Sequence, residues 1–338
     1  MNQRRRKKHR LLLLIMFSLF LLTSGSSADW RVSDAHSVQG TLTVTFIDVG
    51  QGDATLVTQG KHALLIDGGD IGQGPLIIRT LKQLRIDHLD AIIATHPHAD
   101  HIGGLAAVME EFPVDQIIMP RVSHTTALYE ELLLTIRKHQ LRIIAARPGL
   151  RYQLGQARLE ILGPEEIDPD DLNNSCVISR ITFGRTAFLS AGDAGFPAEE
   201  SVMERQAEIR ADLLKVAHHG SATSTSDEWL DRVRPETAVI SVAAGNRYGH
   251  PVATVIDRLN QRGIDVWRTD LQGTIQAVSD GEQFRLSAEY PDGRPAALRF
   301  HLLVEQRHMN VVAPLPVDLE VAAGQSFLLE SQFFNNTQ

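Results

Sequence analysis

The chain has 338 residues, 43% of them hydrophobic and 22% charged; this is ordinary for a globular protein and allows one large domain or two smaller ones. Its 33 Lys and Arg against 41 Asp and Glu give a formal charge of −8, which disfavours a general binder of polyanions. The lone cysteine, Cys176, excludes an internal disulfide, and its setting in "SCVISRITF" reads as a small apolar residue rather than a nucleophile.

At the start, "MNQRRRKKHR" is basic, "LLLLIMFSLFLL" (residues 11–22) is too short to span a bilayer comfortably, and "TSGSSA" offers small residues at Ser26 and Ala28. This is the pattern of a secretory signal peptide over residues 1–28, cut after Ala28, so a secreted or periplasmic protein with no stable membrane span is expected. An uncleaved membrane anchor is the alternative. Residues 1–28 carry Arg4, Arg5, Arg6, Lys7, Lys8 and Arg10 and no acid, so the mature chain would carry −14.

From residue 41 the pattern is α/β. "TLTVTFIDV" reads as a strand, and "DATLVTQGKHALLID" as two more around a Gln59-Gly60 turn. "GPLIIRTLKQL" is a helix with Pro75 in its first turn, "LDAIIAT" a buried strand, "GGLAAVMEEF" a helix and "DQIIMP" a strand. "TTALYEELLLTIRKHQ" is an amphipathic helix and "RIIAA" the strand after it. Beyond Pro148-Gly149, "ARLEILGP", "SCVISRITFG" and "TAFLSAGD" are strands. Helix "PAEESVMERQAEI", strand "DLLKVAHH", helix "DEWLDRV", strand "TAVISV" and helix "PVATVIDRLNQRG" follow. "GIDVWRT", "GTIQAVSD" and "QFRLSAE" form a closing strand set. This order predicts an α/β fold of two packed sheets with helices outside both, over residues 41–290, and a separate β-rich extension over 291–338.

The chemistry concentrates in "THPHADHIGG", residues 95–104, directly after an apolar strand. His96, His98, Asp100 and His101 are ligand types suited to Zn²⁺, Mn²⁺ or Fe²⁺. Residues i and i+2 of an extended segment face one side, so His96 and His98 can share an ion, while Asp100 and His101 lie beyond the bend. Gly103 and Gly104 are expected to let the backbone turn tightly. Two further strands end on ligand types: "LSAGDAG" on Asp193, and "LLKVAHHGS" on His218 and His219. Strand C-termini are where α/β sheets place their sites.

These stretches, with "FIDVGQGDATLV", "LLIDGG", "NNSCVI" and "NRYGHP", resemble seven motifs of the metallo-β-lactamase superfamily in order, across residues 41–279. The branch is similar to the C-terminal domains of bacterial DNA-uptake channel proteins and to surface phosphorylcholine esterases. The resemblance implies an αββα four-layer sandwich. It implies two divalent ions, zinc first and manganese as the alternative. His96 and His98 would hold the first ion, Asp100 and His101 the second, and Asp193 would bridge them. One of His218 and His219 would complete the second ion and the other would face substrate; the sequence does not choose. Many superfamily members carry a further histidine on the first ion, whereas here Asn173, Asn174 or Ser175 stands in that region. His124 and His139 lie in the interval but read as surface residues at helix ends. The departure disfavours β-lactam hydrolysis.

Asp67 in "LLIDGG" is expected behind a metal histidine or in a turn, and Asp48 is not expected as a ligand. His250 in "YGHP" is a candidate for substrate contact or leaving-group protonation, or a helix-entry residue. Ser221, Thr223 and Ser224 could offer hydroxyls to phosphate. Together these imply an exported hydrolase that attacks phosphoester bonds with hydroxide activated by two ions about 3.5–4 Å apart, with Asp100, His219 and His250 as catalytic candidates. A small-molecule or envelope-linked phosphoester is the expected substrate. A nuclease is the alternative, opposed by the acidic mature chain, and a non-catalytic metal-binding module ranks third.

Overall fold

The computed structural model describes residues 39–293. The signal peptide expected over 1–28 and all but the first three residues of the extension expected over 291–338 lie outside the described residues.

The first sheet has eight strands. β1 (Leu42–Phe46), β2 (Thr55–Gln59) and β3 (His62–Ile66) form an antiparallel meander; β4 (Ala91–Ile93), β5 (Gln116–Met119) and β6 (Arg142–Ala145) continue it in parallel. Their connections are α1 (Gly74–Gln83), α2 (Ala99–Ile102), α3 (Leu105–Glu111) and α4 (Ala127–Lys138). In the second sheet β7 (Arg151–Leu154), β8 (Ala157–Gly163), β9 (Ile178–Phe183) and β10 (Thr186–Ser190) are antiparallel. There β11 (Leu213–Lys215), β12 (Thr237–Ile240) and β13 (Asp265–Arg268) run parallel to β10, with α5 (Phe196–Glu204), α6 (Asp227–Val233) and α7 (Ala253–Gln261) between them. After a one-turn helix α8 (Thr269–Gln272), β14 (Ile275–Ser279) and β15 (Phe284–Ala288) return to the first sheet beside β1.

Three buried clusters account for four layers. Strand side chains alternate between faces, so Leu42, Val44 and Phe46 of β1 point into the space between the sheets and meet Leu159, Ile181 and Phe188. Phe46 and Phe188 touch edge to face with ring centres 5.6 Å apart, a geometry the ring quadrupoles favour. The other face of β3 (Ala63, Leu65) packs on Ile77 and Leu81 of α1 and Leu105 and Val108 of α3. On the far side, Leu189 and Leu214 pack on Val202, Trp229, Leu230 and Val255 of α5 to α7. β4 and β10 are buried along their whole length, which is why each carries a continuous apolar stretch, Ala91–Ile93 and residues 187–189. The expected αββα sandwich is the observed one.

Four features differ from the sequence reading. β7 is a separate strand that pairs with β8. α5 ends at Glu204, before Gln206 turns left-handed at φ 53°. The short helices α2 and α8 were not expected. The closing strands divide between the sheets, β13 in one and β14 and β15 in the other, because pairing partners are distant in sequence and local pattern carries no sheet assignment.

Candidate metal centre

The strand ends β3, β4, β10, β11 and β12 meet at one end of the sandwich, stitched by backbone bonds. Asp67 N donates to Ile93 O, Val177 N to Thr95 O, and His218 N to Gly192 O. The histidine loop leaves β4 at Thr95, whose backbone N and Oγ1 both bond the Asp67 carboxylate at 2.7 Å. His98 is the N-cap of α2, so Asp100 and His101 fall in its first turn. His96 Nε2 lies 3.0 Å from His98 Nδ1, so the two rings do face each other.

Asp193 sits between two donor sets. Its Oδ1 lies 3.2 Å from His101 Nε2 and 3.7 Å from His219 Nε2; its Oδ2 lies 3.7 Å from His218 Nε2 and 3.9 Å from His96 Nε2. Asp100 Oδ2 is 3.2 Å from His219 Nε2. Asp100, His101, Asp193 and His219 each offer one atom, and all four atoms lie within 4.8 Å of one another. Among the described residues His96 and His98 belong to no group of three donors that close. The histidine pair left open by the sequence thus divides: His219 joins Asp100 and His101, while His218, less buried, turns toward the oxygen of Asp193 that faces His96.

The backbone makes this division. His218 (φ 49°, ψ 44°) and His219 (φ 53°, ψ 22°) are both left-handed, on a tight turn over Ala217–Gly220. Such angles cost non-glycine residues roughly 1–2 kcal/mol each, and they persist where the surroundings impose them. Here His219 Nδ1 is held by Ser241 O at 2.9 Å, which aims Nε2 at the acids.

The donor set fits a divalent ion. His101 Nε2 and Asp193 Oδ1 are buried and have no hydrogen-bond partner, an arrangement that is costly unless something satisfies it. The imidazole–carboxylate mixture suits zinc or a similar ion. Behind the donors, Asp67 Oδ2 accepts from His101 Nδ1 at 2.8 Å, so the His101 nitrogen facing Asp193 is the one free to bind. Asp67 therefore lies behind a histidine, as one of its two expected roles required.

Electrostatics follow the geometry. Burial opposes ionisation of Asp193, but the charges of His101 and His219 outweigh it and hold the carboxyl well below its usual range. Burial likewise disfavours charge on His219, yet Asp193 and Asp53 push the imidazole up to about 10. His96, His98, His218 and His250 are all depressed, first by burial and then mainly by the charges of neighbouring histidines.

The sequence missed Asp53 and Lys215. They form a fully buried ion pair, and Asp53 Oδ1 lies 3.4 Å from His219 Nδ1. The signal was a lone lysine inside the apolar strand "DLLKVA". Cys176 is buried, as a small apolar residue would be, and does more: its Sγ lies 3.3 Å from His96 Nδ1 and accepts from Asp193 N at 3.2 Å. It therefore supports two candidate ligands. Burial pushes its thiol up to about 12, in keeping with no nucleophilic role.

The expectations for Gly103, Gly104 and Ser224 change, while those for Asp48 and His139 hold. Gly103 and Gly104 have ordinary negative φ (−58° and −97°), so turning is not their reason. A Cβ on Gly103 would lie 2.3 Å from the carbonyl carbon of Asp70, so close packing is. Ser224 spends its hydroxyl on Ala217 O, which removes it as a phosphate donor. Ser221 and Thr223 bond each other at 3.1 Å. Asp48 Oδ1 accepts from Gly50 N in a turn. His139 caps the end of α4 and lies 3.3 Å from Glu110. His250 stands outside the four-donor group, its ring centre 5.6 Å from that of His218. Asn174, in the stretch without the extra histidine, accepts from Gly195 N and Ala198 N, fixing the loop that follows Asp193.

A four-layer α/β sandwich with imidazoles and carboxylates converging at its strand ends is the architecture of a metallo-hydrolase. The chain belongs to the metallo-beta-lactamase superfamily, whose family model matches residues 47–244. It is 33% identical over 251 residues to "ComE operon protein 3" of Bacillus subtilis (strain 168), and 33% identical over 236 residues to "Competence protein ComA" of Neisseria gonorrhoeae. Each match covers 69% of this chain and 32% of the relative, so the chain spans about a third of their length. A shorter match, 39% identical over 66 residues, covers 20% of this chain and 24% of "Hydroxyacylglutathione hydrolase" of Aeromonas salmonicida (strain A449). Among solved structures, the metallo-beta-lactamase fold protein YhfI from Bacillus subtilis is similar at a TM-score of 0.47 and 15% identity, covering 67% of this chain and 95% of that one. Among the described residues no helix is long and apolar enough to cross a membrane.

Proposed function

We propose that the chain is an exported, two-metal phosphodiesterase, with polynucleotide ahead of small phosphoesters as substrate. The observation that carries the hydrolytic reading is the split of Asp193, one carboxylate oxygen toward Asp100, His101 and His219 and the other toward His96 and His218. Similarity to competence proteins over 69% of the chain supports the polynucleotide reading. The signal-peptide pattern at residues 1–28 supports export.

Asp100, His101, His219 and Asp193, whose donor atoms already converge, would hold one divalent ion; His96 and His98 with the other oxygen of Asp193, less closely gathered, would hold the second. Ions so held would polarise a phosphoryl oxygen and supply hydroxide at neutral pH. The chain's own part is orientation. Asp67 and Ser241 fix which nitrogen of His101 and of His219 faces the acids, and Cys176 and Thr95 back His96. His218 and His250 line the outer side. Both are held neutral at pH 7, first by burial, so each would offer a hydrogen bond to a leaving oxygen rather than a full proton.

A thioester hydrolase is the second reading, supported by the short match to hydroxyacylglutathione hydrolase. A panel of bis-p-nitrophenyl phosphate, single-stranded DNA, a phosphorylcholine ester, an acylglutathione and a β-lactam, run with Zn²⁺ and Mn²⁺, separates them. Phosphodiester cleavage that falls at least about a thousandfold in Asp193→Asn is expected. Full activity in that variant, or cleavage of the acylglutathione alone, would refute the reading.

A further inference from the structure

The loop after β12 carries "NRYGHP", with Arg247 and Tyr248 outside the donor cluster. Asn246 builds this loop: its Oδ1 accepts from Tyr248 N and His250 N, and its Nδ2 donates to Ala243 O and His250 O. Rings then step outward from the donor cluster. His218 Nε2 lies 3.7 Å from Asp193, the His218 and His250 ring centres are 5.6 Å apart, and Tyr248 stacks on His250 at 5.8 Å and 23°. Tyr248 ends the series with 51% of its surface exposed. The Arg247 guanidinium sits 4.9 Å from the Tyr248 ring centre and donates to its hydroxyl at 2.7 Å. Among the described residues Arg247 makes no ion pair with a carboxylate, although its charge reaches Asp70 and Asp100.

The loop also adjoins buried polar nitrogens that have no partner. Gln51 Oε1 accepts from Ala243 N at 3.4 Å, while Gln51 Nε2 is buried with no partner; the Nδ1 atoms of His218 and His250 are likewise buried and unpartnered. A half-exposed ring and a guanidinium with no carboxylate in ion-pair range, beside the candidate metal centre, suit a ligand with a flat π-face and several anionic oxygens.

Resting on the phosphodiesterase reading above, we propose that Arg247, Tyr248 and His250 form a subsite for the nucleotide next to the scissile phosphate, with Tyr248 stacking its base and Arg247 pairing with its other phosphate. Stacking is indifferent to base identity and works best on unpaired bases, so single strands are taken and duplex is not. The subsite also reconciles an acidic chain with a polyanionic substrate, because part of the affinity comes from ring contact rather than from charge. A phosphorylcholine headgroup fits poorly. Its quaternary ammonium would favour the tyrosine face, but the Arg247 guanidinium already lies over that ring and repels a second cation.

The test uses the full-length, metal-loaded protein and a labelled, hydrolysis-resistant phosphorothioate oligothymidylate, read by fluorescence anisotropy. An abasic phosphorothioate strand of equal length and a blunt duplex are the comparison probes. Tyr248→Ala should weaken oligothymidylate binding about five- to hundredfold, Tyr248→Phe should stay within about twofold of the parent, and the abasic strand should bind both Tyr248 variants as it binds the parent. Arg247→Ala should weaken both single strands and reduce the magnitude of the salt slope by about 0.7. Unchanged oligothymidylate binding in Tyr248→Ala overturns the proposal, as does an equal loss on the abasic strand or tight duplex binding. A Tyr248→Ala loss confined to the phosphorylcholine ester assigns the rim to the ammonium group instead. Hydrolysis of bis-p-nitrophenyl phosphate reports separately on the phosphodiesterase reading, so failure of one is distinguishable from failure of the other.

Discussion

Asp67→Asn isolates the hydrogen bond that aims His101. Asp67 is buried at φ 60°, a left-handed conformation that Asn tolerates, so shape and backbone survive the change. Its two oxygens serve three donors: Thr95 N at 2.7 Å, Thr95 Oγ1 at 2.7 Å and His101 Nδ1 at 2.8 Å. An asparagine can keep one oxygen on Thr95 N, which leaves its NH₂ against the hydroxyl and the imidazole. The hydroxyl can rotate and accept. The ring must either lose the contact or move its proton to Nε2, the atom 3.2 Å from Asp193. Removing a partner of this kind costs about 10- to 100-fold in metal affinity, or about 1.4–2.8 kcal/mol. The loss should fall on the ion that Asp100, His101, His219 and Asp193 would hold. Competition with a chelator of known affinity, read as ions per chain at fixed free Zn²⁺, measures it, and circular dichroism checks the fold. A folded variant that binds both ions within twofold of the parent would refute the orienting role.

Three more outcomes follow from the structure. In metal-free protein the folded pKa of His219, about 10, lies above its unfolded value of about 6.5. Its stabilisation is therefore complete below about pH 6.5 and is lost as pH rises toward 10. The melting temperature of EDTA-stripped protein should fall between pH 7 and pH 9 more steeply than that of metal-loaded protein, and equal slopes contradict this. Cys176, held at about 12 by burial above all, should have roughly one part in ten thousand as thiolate at pH 8. Ellman's reagent should label it in guanidinium but not in buffer, and its folded-state contribution to stability should be lost as pH rises from about 9 to 12; rapid native labelling would show that the thiol is accessible. Gly103→Ala should cost about 1–3 kcal/mol through overpacking alone, since its Cβ would meet Asp70 backbone at 2.3 Å; a denaturant midpoint within error of the parent would show that the neighbouring loop yields.

Much of this protein is written locally. Apolar runs such as "LDAIIA" and "TAFLS" mark strands because both their faces are buried, and Thr126 and Ser226 mark helix starts because their hydroxyls accept from Tyr129 N and Trp229 N. The ligand-type residues were legible because they cluster at strand ends, and His96 and His98 face each other because alternate extended residues share a side. Local sequence could not decide between His218 and His219. That choice depends on two successive left-handed residues and on Ser241 O, more than 20 positions away, holding one ring. Nor could it find Asp53, whose role depends on Lys215 arriving from the other sheet, or the place of Cys176 behind His96, 80 residues earlier in the chain. Sequence determined which side chains were available and at which strand ends they would stand. Only the packing of two sheets, which brings together the ends of strands far apart in the chain, decided which atoms face one another across Asp193.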